Sequence, residues 1–114
     1  MKIKGITFAG TATDKADDTT AFFRKVFSQE PEPLEGFPAQ IFNFEDGSAF
    51  GVVTVPSEMA TRTIGFLIDD LDAAVAELRA EGIEAGEPGE NQLGRYVHFT
   101  APDGRLYELV EKPA

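Results

Sequence analysis

An internal repeat is the feature that most constrains the fold of this chain. The order strand, helix, short strand and hairpin occurs in residues 1–55 and again in residues 63–114. The two hairpins can be overlaid directly, with residues 46–53 matching residues 103–110. Each repeat covers one face of its sheet with a helix and leaves the other face open. The two open faces must meet, so the repeat predicts an α+β fold of two tandem βαβββ modules whose mixed sheets enclose a shared cavity.

The first module begins with a strand rich in Ile, Thr and Phe. Asp14 is expected to cap the following helix, and two prolines, Pro31 and Pro33, end it and open a loop. Gly47 fits the left-handed position of a three-residue hairpin turn. The predicted strands are Ile3–Thr13, Ala39–Phe44 and Ala49–Val55, and the apolar stripe of the helix is Ala16, Phe22, Phe23, Val26 and Phe27.

Residues 56–62 are predicted to link the modules, and the pattern then restarts. Asp69 or Asp70 is expected to cap the second helix, and Gly82 follows its last turn. A loop rich in Gly, Pro and acids is predicted over Gly86–Gly94. The predicted strands of this module are Thr63–Ile68, Ile83–Ala85, Arg95–Thr100 and Leu106–Glu111.

Charge and composition exclude several classes of protein. The chain has 20 acidic and 10 basic residues, for a net charge of -10. Nucleic-acid binding requires clustered Lys and Arg, so it is not expected, and neither is docking on anionic membranes. The acidity is compatible with a cationic ligand, but a solvated acidic surface is the favoured explanation.

The chain contains no Cys and a single His, His98. Disulfides, thiolate nucleophiles and sites that need two His from one chain are therefore excluded. No signal peptide or membrane-spanning run is recognised, so a cytoplasmic location is expected.

The second module resembles the vicinal oxygen chelate superfamily, which includes glyoxalases, bleomycin resistance proteins and extradiol dioxygenases. The resemblance depends on the segments DDLDAAVAELRAEGIE at 69–84 and PDGRLYEL at 102–109, and it extends more loosely over the first module. It implies the tandem βαβββ fold already predicted from the repeat. It also implies a homodimer, in which the modules either close within one chain or swap between chains.

The resemblance further implies four metal-ligand positions, one on the first and one on the last strand of each module. In this sequence they are occupied by Phe8, Gly51, Thr63 and Glu108. Only Glu108 is a good cation ligand, and a divalent ion needs three or four protein ligands. The sequence therefore predicts no metal and no other cofactor.

Strand alternation identifies the residues that face the cavity. A turn over residues 101–105 pairs His98 with Glu108, and residues directly opposite each other share a face. Tyr96 should lie beside this pair, while Val97 and Phe99 should point to the helix side. The cavity is thus predicted to be apolar and roomy, with a few polar groups. The predicted ligand-binding residues are Phe8, Asn43, Gly51, Thr63, Tyr96, His98 and Glu108.

Three interpretations of the pair formed by His98 and Glu108 stay open. The two residues could form an acid/base pair in catalysis, with the imidazole oriented by the carboxylate. They could instead recognise a ligand, with Glu108 pairing a cation and Tyr96 or His98 stacking or hydrogen-bonding. The third interpretation is an ion pair that only satisfies two polar groups in a half-buried sheet.

The leading functional prediction is metal-independent binding of a small organic molecule, cationic or aromatic, in the cavity between the modules. Drug sequestration of the bleomycin-resistance type is one version of this function. The alternatives are a glyoxalase-like lyase or isomerase that uses His98 and Glu108, a metal enzyme whose site is completed from elsewhere, and an assembly or regulatory protein with a vestigial pocket.

Overall fold

Two modules of similar topology combine in one eight-stranded sheet of the computed structural model, which describes residues 1–114. The strand order is β2-β3-β4-β1-β5-β8-β7-β6. From the centre of the sheet outwards, each module therefore has its first strand, then its last, then its third and then its second. The elements are β1 Gly5–Thr13, α1 Ala16–Phe27, β2 Glu32–Pro33, β3 Ala39–Asn43, β4 Ala49–Thr54, β5 Thr61–Ile68, α2 Leu71–Ala80, β6 Gly89–Asn91, β7 Gly94–Thr100 and β8 Leu106–Glu111.

The first strands of the two modules form the centre of the sheet. β1 pairs with β5 in antiparallel orientation, and each runs parallel to the last strand of its own module, β4 or β8. The modules thus close on each other within one chain. The α+β architecture predicted from the repeat is confirmed. Neither α-helix has the length and apolar character needed to span a membrane.

The core lies in separate layers on the two faces of the sheet. On the helix side, α2 contributes Leu71 to a cluster that includes Val97 and Leu109, and α1 covers Phe42 and Val52. Burying a side chain of this size contributes roughly 1.5–3 kcal/mol. A third cluster lies on the opposite face, where it forms part of the cavity wall, and consists of Leu34, Ala39, Ile41 and Ala49.

The helices depart from the sequence prediction at two points. Asp14 does not cap α1; the capping position is Lys15, which makes no side-chain cap, and its amide donates instead to Thr13 Oγ1. In contrast, Asp70 caps α2 by accepting from the Ala73 amide. The predicted stripe of α1 is only partly buried, because the helix packs through Phe23 and Phe27 and leaves Phe22 60% exposed.

The strand boundaries also differ from prediction. β1 begins at Gly5 and β5 at Thr61, so the linker is shorter than residues 56–62 and contains a 3-10 turn at Ser57–Met59. Residues 83–85 do not form a strand, since only Ala85 makes a single bridge, to Phe99. The edge strands β2 and β6 were not predicted, because two or three residues are too few to show an alternating pattern.

Candidate functional site

A cavity of about 300 Å³ lies between the two modules on the face of the sheet away from the helices. Its wall is mostly apolar. Glu108 is the only acid among the lining residues and Lys112 the only Lys or Arg. The remaining polar lining residues are Thr7, Thr61, Thr63, Asn91, Tyr96 and His98. This composition is typical of a site that binds a small molecule.

Five of the seven residues predicted to bind a ligand line this cavity: Phe8, Thr63, Tyr96, His98 and Glu108. Asn43 lies outside it, because the Asn43 side chain turns to the sheet edge and its Nδ2 lies 3.5 Å from Glu32. Gly51 also lies outside, because the Phe8 ring and the Ile41 side chain cover it.

His98 and Glu108 lie side by side on the cavity wall. They are directly opposite each other on β7 and β8, as the turn length predicts. His98 Nε2 lies 2.9 Å from Glu108 Oε2. Glu108 is buried, with 8% of its surface exposed, whereas the His98 side chain is 41% exposed. The carboxylate is therefore held in a largely dry environment, with an imidazole that can also contact solvent or a ligand.

Gly65 makes room for this carboxylate. Gly65 pairs with Glu108 on the neighbouring strand, and a Cβ added to it would lie 3.0 Å from both Glu108 Cγ and Glu108 Oε1. The same atom would lie 3.0 Å from Phe8 Cβ. A methyl group at this position would therefore press on Glu108 and Phe8 unless both moved by a few tenths of an ångström.

Phe8, from the first strand, is the side chain that lies over the centre of the sheet in the first module. Its ring extends over Gly10 and Gly51, where an added Cβ would lie 2.8 and 3.0 Å from ring carbons. Phe8 also packs against the apolar cluster that contains Leu34 and Ala49. The first module thus contributes an aromatic ring to the cavity at the place where the second module contributes a carboxylate.

Tyr96 lies beside the His98 ring, with ring centroids 5.3 Å apart. Its own ring lies against Gly89 of β6, where a Cβ would come within 2.6 Å of the phenol. Burial raises the pKa of Tyr96, and the negative charge of Glu108 raises it further. Tyr96 is therefore a neutral hydrogen-bonding group next to the carboxylate.

Some lining residues could not be predicted from strand alternation. The register of β1 and β5 is irregular between Ile6 and Phe8, so that Thr7 and Phe8 both line the cavity although they are consecutive. A local bulge of this kind leaves no signal in the sequence. The other unpredicted residues come from loops and edges and include Leu34, Phe37, Met59, Asn91, Leu93 and Lys112.

The four positions that the resemblance associates with a metal do not fit one. Phe8 and Gly51 offer no side-chain donor atom, and Thr63 offers only a hydroxyl. No three His, Asp or Glu side chains converge anywhere in the structure. Zn²⁺ and Ca²⁺ sites need three or more strong donors, and here only the Glu108 carboxylate is available with His98 beside it.

Comparison with solved structures identifies the fold. Methylmalonyl-CoA epimerase from Mycobacterium tuberculosis matches with a TM-score of 0.76 at 16% identity, over 98% of this chain and 90% of that one. The Streptomyces coelicolor epimerase, as a Q60A variant in complex with 2-nitronate-propionyl-CoA, matches with a TM-score of 0.70 at 22% identity, over 99% and 100%. The protein BH1468 from Bacillus halodurans C-125 matches with a TM-score of 0.75 at 15% identity, over 100% and 97%.

The chain has the vicinal oxygen chelate fold. No protein-family model matches the sequence, and no curated protein is significantly similar to it. The fold expected from the two sequence segments is therefore confirmed by structural similarity alone.

Two kinds of chemistry are open to this arrangement. Glu108 can pair with a cationic group of a ligand whose apolar part lies on Phe8 and the neighbouring aliphatic wall. Alternatively, His98 can accept a proton from a bound molecule while the adjacent carboxylate orients the ring and stabilises its protonated form.

Proposed function

We propose that this protein binds a small organic molecule with an apolar or aromatic body and a cationic amine, in the cavity between its modules. The observation that carries the proposal is a buried carboxylate, Glu108, inside an otherwise apolar cavity of about 300 Å³. A buried carboxylate is stabilised by a cationic partner, and His98 supplies one only while it is protonated. A ligand ammonium would supply a permanent one.

The aromatic residues of the cavity support the same ligand class. Phe8 and Tyr96 both line the cavity with Glu108, and rings of this kind attract cations over their faces. The volume is at the lower end of the range for small-molecule sites. A compact amine with one ring fits these dimensions better than a large multi-ring compound.

Charge argues against a coenzyme A ester as the ligand. The structural neighbours include a methylmalonyl-CoA epimerase in complex with methylmalonyl-CoA and NH4+. The phosphates of such an ester require Lys or Arg partners. The present chain has a net charge of -10, and Lys112, whose ammonium donates to the Gly47 carbonyl, is the only Lys or Arg at the cavity.

Calorimetric titration with 4-phenylbutylamine and with 4-phenylbutyrate tests the proposal. The two probes have a similar shape and opposite charge, and the amine is expected to bind at least tenfold more tightly. Glu108→Gln keeps the side-chain shape and removes the charge, so it should weaken amine binding by roughly 10- to 100-fold. Glu90→Gln, which changes an exposed acid of β6 outside the cavity lining, is the matched control and should have no effect.

Two results would contradict the proposal. One is equal affinity for the amine and the carboxylate. The other is unchanged amine binding in Glu108→Gln with a native unfolding transition, since the carboxylate would then have no part in recognition.

A second candidate is acid/base catalysis, with proton transfer at a carbon next to a carbonyl. The contact of 2.9 Å between His98 and Glu108 inside the cavity favours it, and the fold is shared with epimerases. His98 would act as the base and Glu108 would orient it. Deuterium incorporation from D₂O into small ketones, followed by NMR, tests this function. Exchange that disappears in His98→Ala supports it, and exchange no faster than in buffer excludes it for those substrates.

A further inference from the structure

A single side chain links the segments that follow the two outermost strands of the sheet. β2 and β6 stand at opposite ends of the strand order, and no ladder of backbone hydrogen bonds joins them. The Gln92 side chain joins them instead. Its Oε1 accepts from the Glu35 amide at 3.0 Å, and its Nε2 donates to the Pro33 carbonyl at 3.1 Å.

The Gln92 side-chain amide makes the backbone hydrogen bonds that a neighbouring strand would otherwise make. A strand paired to β2 would also offer one acceptor and one donor to the backbone of residues 33–35. Two neutral hydrogen bonds from one exposed side chain hold this edge, whereas full ladders join all the inner strands. The wall of the cavity is therefore weakest at this point.

Leu93 completes the closure from the second module. It packs against the apolar cluster of the first module that contains Leu34 and Ala49. Leu34, Asn91 and Leu93 all line the cavity, so this contact between modules forms part of the cavity wall.

We propose that Gln92 and Leu93, here called the clasp, determine the length of the ligand that the cavity accepts. This inference rests on the proposed function. The clasp and the charged pair lie at separate places on the cavity wall, because Leu93 precedes His98 by five residues through the start of β7. At about 3.3 Å per residue of strand, these five residues span at most roughly 16 Å. A linear amine anchored at Glu108 would extend toward the clasp and stop there.

A series of ω-phenylalkylamines of increasing chain length, beginning with benzylamine, tests the clasp by calorimetry. For the unmodified protein, affinity should rise with each methylene and then fall sharply at one length. In a variant with Gln92→Ala and Leu93→Ala, the first excluded amine should bind at least tenfold more tightly than to the unmodified protein. The shortest amines should still bind the double variant.

Gln29→Ala is the matched control. In the unmodified protein, Gln29 Nε2 donates to the Asn43 backbone carbonyl at 2.6 Å. This substitution therefore also removes a hydrogen bond from a side-chain amide to the backbone. The lost bond lies within the first module and away from the cavity. The length limit of Gln29→Ala should equal that of the unmodified protein. The clasp proposal is overturned if the double variant keeps the original length limit while the short amines still bind.

Failure of the proposed function gives a different result. If no amine of the series binds the unmodified protein, the proposed ligand class is wrong, and so is the proposed limit on ligand length. Amide hydrogen exchange at Glu35 then decides whether the clasp forms at all. Exchange should be slow in the unmodified protein and in Gln29→Ala, and fast in Gln92→Ala. Fast exchange at Glu35 in the unmodified protein would show that the edges are not joined.

Discussion

The two halves of the cavity are built on the same strands of the repeat and have opposite chemistry. In the second module Glu108 of the last strand lies against Gly65 of the first strand. In the first module the arrangement is reversed, because Phe8 of the first strand lies against Gly51 of the last strand. The glycine is in each case the residue that lets its neighbour occupy the centre of the sheet.

This exchange divides the cavity into a charged half and an apolar half. The charged half consists of His98, Glu108 and Tyr96, and the apolar half consists of Phe8 and the aliphatic cluster around Leu34. A symmetric repeat would have placed two carboxylates at the centre and could have held a cation between them. One carboxylate facing an aromatic ring suits a molecule that is itself polar at one end and apolar at the other.

Phe8→Ala should have the largest effect on stability, because it empties the apolar half. A phenyl ring that fills space beside two glycines leaves a cavity when it is removed. The expected loss is about 2–4 kcal/mol in the free energy of unfolding, measured by urea denaturation. Phe8→Leu, which keeps most of the volume, should lose less than half as much. A loss below about 0.5 kcal/mol for Phe8→Ala would show that the ring does not fill this half of the cavity.

Gly65→Ala should have an intermediate effect on stability, located in the charged half. The added methyl group would press on Glu108 and on the Phe8 Cβ, and overpacking of this kind costs about 1–3 kcal/mol. Gly86→Ala is the control, since its Cβ would meet only the His98 carbonyl oxygen at 3.7 Å.

The same Gly65 variant also tests the division of the cavity. Gly65→Ala should weaken binding of 4-phenylbutylamine relative to 4-phenylbutyrate, because it displaces the carboxylate. Gly51→Ala displaces Phe8 or Ile41 instead, so it should weaken both probes to a similar extent. If both glycine variants gave the same selectivity, the two halves would not differ in chemistry.

The ionisation of Tyr96 should show the smallest change. Its pKa is raised by burial and by Glu108, so Glu108→Gln should move the pKa partway back toward its ordinary value of about 10. The pKa of Tyr96 is raised only in the folded state. Its contribution to the free energy of unfolding is therefore present below pH about 10 and is lost as the pH rises through the folded-state pKa. Tyrosinate absorbance against pH, with Tyr96→Phe subtracted to isolate this residue, measures the shift. An identical Tyr96 titration in Glu108→Gln would show that the Glu108 charge does not affect the pKa of the phenol.

Residues in long, regular strands and hairpins could be predicted from the sequence, and the centre of the site lies among them. The turn length at 101–105 fixes the pairing of His98 with Glu108, and alternation places Val97 and Leu109 on the helix side. These inferences depend only on the period of two along a strand.

Predictions that depended on short or irregular segments failed for physical reasons. The bulge at Thr7 and the two edge strands depend on contacts between distant residues, and Gln92 joins backbone atoms that are 57 and 59 positions away. Asp14 is a good capping residue by type, but the chain enters α1 one residue later. The homodimer and the cytoplasmic location stay predictions from the sequence.

A crystal structure of the protein with 4-phenylbutylamine tests the central claim most directly. The account predicts the ammonium nitrogen about 2.8 Å from a Glu108 carboxylate oxygen, with the phenyl group on the Phe8 side of the cavity. An amine bound outside the cavity, or bound inside it with its nitrogen away from Glu108, would contradict the account.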